Sequence, residues 1–144
     1  MTPLKDEDRT MDTNERRRRR STHLHTALNY QLEAVCEEYG LSNVALATDD
    51  GFVVSGIGDE RVTEWLAALA PAVVESQLSP VQNEAWLEKL APPFPVDDGF
   101  DAVSIDAFGS KMYIAGLASN ELAVALGLAH AMIGVHRIFS ELRN

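Results

Sequence analysis

The side chains of this 144-residue chain that could do chemistry are few, and they do not converge in sequence. His23 and His25 stand near the start of one helical pattern, and His130 and His136 lie in another near the C-terminus. A helical zinc site needs two histidines four apart with a glutamate between them, and neither pair has that spacing. At roughly 100° per residue, the step from His130 to His136 turns the two to different sides of a helix. All four read as surface or satisfied core histidines. Cys36 is the only cysteine, which rules out an intrachain disulfide or a cysteine-based zinc site. Beside Val35 it reads as a structural thiol, since nothing near it in sequence would lower its pKa. Asp49 and Asp50 offer two carboxylates, but an oxygen-ligand calcium loop needs more of them at set intervals. Followed by Gly51, they read as a tight turn. The glycines at 51, 56 and 58 form GFVVSGIG, without the lysine and hydroxyl residue of a phosphate-binding loop. The expectation is a non-enzymatic protein with no cofactor and no metal.

Charge is unevenly placed. Residues 1–20 hold seven of the twelve basic residues, including Arg16 to Arg20, and five of the twenty-two acidic ones. That leaves five basic and seventeen acidic residues in 21–144, a charge of −12 for the body. Such a body repels nucleic acid and anionic membranes, so contact with either is expected only through Arg16–Arg20. Five arginines without interleaved aromatics are a weak recognition surface and read first as a solvated helix extension or tail. No apolar leader stretch is visible, and the apolar run Leu122–Val135 is shorter than the roughly 20 residues that span a bilayer. A soluble, cytoplasmic chain is expected.

The elements that would position these residues follow from apolar spacing. Leu24, Leu28, Leu32, Val35 and Tyr39 recur at intervals of three and four, which predicts a helix that Gly40 stops. It starts near Asn14 or only after the arginines, and residues 1–14 lack an apolar period and read as disordered. A hairpin follows, with strands over 44–48 and 52–54 around Asp49-Asp50-Gly51. Asp59 is a plausible N-cap for a second helix bearing Val62, Trp65, Leu66, Leu69, Val73 and Val74. Pro71 should kink or split that helix. Residues 79–99 look like an insertion, a short helix over 81–90 and then Pro92-Pro93-Phe94-Pro95. A third strand over 102–108 alternates Val103, Ile105 and Ala107 against Ser104, Asp106 and Phe108. The fourth (111–117) and fifth (122–126) are apolar nearly throughout, which predicts central positions in the sheet. A last helix ends the chain. Residues 1–21 thus form a basic tail, disordered or helix-extending, and residues 22–144 form a single α+β domain.

The order helix, two strands, helix, three strands, helix resembles the roadblock / dynein light chain domain family. The likeness is carried by the hairpin LSNVALATDDGFVVSG and by KMYIAGLASNELAVALG, and it covers roughly Thr22 to Asn144. It implies a five-stranded antiparallel sheet flanked by helices in a roadblock/profilin-like α-β-α sandwich. It also implies a dimer in which third strands pair and second helices lie side by side, and partnership with small Ras-like GTPases as regulator or scaffold. The interface residues expected on that basis are Val62, Trp65, Leu66, Leu69 and Val73 on the second helix, and Val103, Ile105 and Ala107 on the third strand. Trp65, central to a broad apolar face, is where core and interface would meet. The alternative is a small-ligand sensor, with 79–99 as a lid and Trp86, Phe94 and Phe100 lining a cleft.

Overall fold

The computed structural model describes residues 2–75, 91–95, 98–107 and 109–143; over 2–15, 17–21 and 142–143 it describes the course of the chain alone. The elements are α1 (Thr2–Tyr39), β1 (Leu41–Thr48), β2 (Val53–Ile57), α2 (Glu60–Glu75), β3 (Gly99–Ala107), β4 (Ser110–Ala118) and α3 (Glu121–Arg143). The four described strands form one antiparallel sheet in the order β2-β1-β4-β3. Helices α1 and α3 cover one face and α2 the other.

α1 begins ahead of both starts read from the sequence, and the arginine run lies inside it. Residues 2–21 contain no glycine, and Pro3 falls in the first turn, where a proline costs a helix nothing. Leu28, Leu32 and Val35 are buried, and Leu24, Cys36 and Tyr39 pack beside them. Gly40 ends the helix at φ +73, its amide donating to the Cys36 carbonyl over 2.9 Å.

The hairpin turn is built as its residues dictate. Gly51 sits at φ +87, its amide donates to the Thr48 carbonyl (3.0 Å), and the Phe52 amide donates to Thr48 Oγ1 (3.2 Å). A Cβ at Gly51 would stand 3.3 Å from Ala68 Cα, so the turn lies close under α2. Asp59 caps α2, Oδ1 accepting from the amides of Arg61 (2.9 Å) and Val62 (3.2 Å). Pro71 leaves α2 as one described helix instead of splitting it.

The fifth strand expected over 122–126 is instead the first turns of α3, so the described sheet has four strands. Leu122, Val124 and Leu126 alternate, but Val124 also starts a helical stripe with Leu128, Ala131, Val135 and Phe139, all buried. Asn120 decides between the periods. Its Oδ1 accepts from the Ala123 amide at 2.7 Å and so nucleates a helix there. β4 takes the predicted central place, paired with β1 and with β3, both faces covered. Two edges are then open among the described strands, β2 and β3. α3 is apolar and long enough to cross a membrane, but its inner stripe is part of the core.

Candidate functional site

β3 is the feature that the fold leaves unfinished. It is a nine-residue strand bonded to β4 on one side, from Gly99 opposite Ala118 to Ala107 opposite Ser110, with no described strand on the other. An edge of that length presents a row of unpaired backbone groups to another chain. Strand alternation sorts its side chains. Val103, Ile105 and Ala107 belong to the core under α1 and α3, while Phe100 and Ala102 belong to the core under α2. Ile105 and Ala107 are buried, and Val103 and Ser104 are half-buried. Along the edge runs a groove of about 420 Å³ lined by Ser104, Ile105 and Asp106 of β3 and Met132, Ile133 and His136 of α3. Ile133 is 68% exposed there, a large apolar side chain that the other described residues leave uncovered.

On the opposite face, Val62, Leu66 and Val73 of α2 are buried against the sheet, whereas Trp65 and Leu69 are half-buried. Three of the five α2 residues expected at an interface thus carry the core of a single protomer. Trp65 packs edge-on against Phe94 (ring centroids 4.9 Å apart) and Phe100 (5.6 Å). These contacts resemble the favourable T-shaped aromatic pairs of protein cores. The proline-rich connector is therefore seated on α2 through Phe94. Of the aromatics expected to line a ligand cleft, Phe94 and Phe100 both meet Trp65. Trp86, the short helix over 81–90 and most of the 79–99 insertion lie outside the described residues.

The ionisable groups hold structure. Glu75, at the end of α2, accepts from Tyr113 Oη (2.8 Å) and from Lys111 Nζ (3.0 Å), tying that helix to β4. These bonds hold the Glu75 carboxyl below its ordinary pKa and Lys111 above its own, and burial raises Tyr113. Burial, reinforced by Glu33 and Glu37, pushes the Cys36 thiol up to about 11, the opposite of an activated nucleophile. His130 Nδ1 lies 3.0 Å from Tyr39 Oη and 3.6 Å from Glu38, whereas His136 lines the β3 groove, so the two histidines do face different ways. Among the described residues no His, Cys, Asp and Glu come together as a metal site would require.

Two surface features escaped the sequence reading. Phe52, 71% exposed, lines a groove of about 470 Å³ with Gly51, Val53, Glu60, Thr63 and Glu64, beside the β2 edge. Tyr30, 76% exposed, stands on the outer side of α1. Phe52 follows the turn glycine directly, and that placement at a hairpin tip was the available signal.

No family model and no curated protein matches the chain. Solved structures do. MglB of Myxococcus xanthus superposes with a TM-score of 0.52 at 18% identity, over 82% of this chain and 91% of that one. The gliding protein MglB of Thermus thermophilus gives 0.51 at 16%, over 82% and 92%. A structure of MglB with a tetrameric arrangement gives 0.53 at 16%, over 82% and 91%. At these identities what is shared is the fold, and it is roadblock-like.

Proposed function

We propose that this roadblock-like chain is a non-enzymatic cytoplasmic scaffold or regulator that forms a homodimer through its β3 edges and binds a small Ras-like GTPase. The observation that carries the proposal is the open nine-residue β3 edge with its apolar groove, in a fold shared with MglB proteins. A two-fold axis normal to the sheet would pair two β3 strands antiparallel and keep each helix layer on its own side. Both α2 helices then meet on one face, with Trp65 and Leu69, the half-buried members of their stripe, near the seam. The Ile133 grooves meet on the other. The α2 face also carries exposed Glu60, Glu64 and Glu75, which suits a partner with a basic surface.

The test immobilises the full chain and offers small Ras-like GTPases loaded with GDP or with a non-hydrolysable GTP analogue. Saturable binding that depends on the bound nucleotide is expected. Absence of binding to either form would remove the GTPase from the proposal. Ser104→Glu, which puts a carboxylate at the β3 edge, should turn dimers into monomers without unfolding the chain. Ile105→Lys is a poorer probe, because Ile105 is buried and the change would damage the core as well.

A further inference from the structure

α1 is amphipathic in a second sense, along its outer side. Its inner stripe, Leu24, Leu28, Leu32 and Val35, faces the sheet. The opposite stripe at helical spacing runs through positions 16, 19, 23, 26, 30, 33 and 37. Arg16, His23, Thr26, Tyr30, Glu33 and Glu37 are all exposed, and position 19 lies within the arginine run. One end of the stripe is basic and the other acidic. Glu33 and Glu37 are four apart, so they repel each other. Among the described residues no cation pairs with either. With Tyr30 and Ala34 they line a shallow depression of about 190 Å³, with room for a guanidinium between two carboxylates and against an aromatic ring.

We propose that this stripe is a self-association surface, on which the α1 helices of two copies lie antiparallel. The charge order fixes the register. A two-fold axis at the level of residue 28 sets position 19 opposite the partner's position 37, 23 opposite 33, and 26 opposite 30. Each basic end then meets an acidic end, and each Tyr30 covers the other helix beside Thr26. The parallel arrangement would set arginine against arginine. From position 19 to 37 the contact runs about 27 Å at ~1.5 Å per residue. The surface lies on the far side of α1 from the sheet and does not use the β3 edge, so both contacts can form at once and join dimers into larger assemblies.

The experiment is light scattering of the full chain at 50 mM and at 500 mM salt, because exposed ion pairs are screened within about 10 Å at 0.1 M. At low salt the mass should exceed that of the assembly at high salt. Glu37→Arg alone, or Arg19→Glu alone, should weaken the low-salt step tenfold or more. The two together in one chain should restore it, since an isologous antiparallel contact is repaired by the swap. Circular dichroism of each variant checks that the fold is intact. In Ser104→Glu the salt-dependent step should persist, starting from monomers, which separates this contact from β3 pairing. A mass indifferent to salt, or a swap that fails to restore association, overturns the proposal. So would a run of arginines that binds a DNA duplex or anionic vesicles while the mass stays unchanged by salt.

Discussion

Asp59 shows how much a single side chain can decide. It satisfies two amides at the start of α2, and Asp59→Ala should cost about 1 kcal/mol in urea denaturation, with the fold retained. An unchanged unfolding midpoint would mean that solvent caps the helix equally well. Cys36 gives a pH-dependent prediction. Its folded pKa is raised to about 11, so the folded chain holds this proton while the unfolded thiol loses it near 9. The contribution is complete below pH 9 and is lost as pH rises to 11. Cys36→Ala should therefore flatten part of the decline of stability over that window. Tyr113 and Lys111, also raised, would account for what decline remains. Glu75, shifted down by its bonds to Lys111 and Tyr113, acts in the opposite window: its contribution is present above its ordinary pKa of 4.5 and is lost in acid below that. Residues governed by local rules were legible in the sequence: Gly40 as a helix stop, Asp49-Asp50-Gly51 as a turn, Asp59 as a cap. The Tyr39–His130 contact was not, because its partners are 91 residues apart and no local rule links them.

At the scale of elements, the segment after Asn120 is the instructive one. ELAVALG satisfies a period of two and a period of 3.6 equally over its few residues, so alternation alone could not choose. The cap before it and the buried stripe that continues to Phe139 do choose, and the two together are readable only across the whole stretch from Asn120 to Phe139. A strand would turn Leu122, Val124 and Leu126 to one face. The helix buries Val124 and leaves Leu126 exposed. Val124→Lys should therefore unfold the chain or cost several kcal/mol, as an unpaired buried charge does. Leu126→Lys should stay within about 0.5 kcal/mol. Equal damage from both, measured by thermal denaturation, would restore the strand reading. β4 was read correctly as central because a strand covered on both faces is apolar at every position, and MYIAGLA is. The depth of Val62, Leu66 and Val73 was not legible. A broad apolar face shows that something covers a helix, not whether the cover is its own sheet or another chain.

At the scale of the molecule, the fold leaves two kinds of surface open, and they differ in physics. The β3 edge offers backbone hydrogen bonds and apolar cover at Ile133, so its pairing should hold in high salt. The outer side of α1 offers charge, so its pairing should not. The order of elements was enough to suggest a roadblock-like scaffold. The partner that completes it is written in no motif, since edge pairing uses backbone groups that every sequence has. The most direct measurement is the mass of the full chain by light scattering at 500 mM salt, across a micromolar concentration series, beside Ser104→Glu. A mass of twice 15.8 kDa is expected for the parent chain and 15.8 kDa for the variant. A parent chain that is monomeric throughout, or a variant as dimeric as its parent, would contradict pairing through the β3 edge.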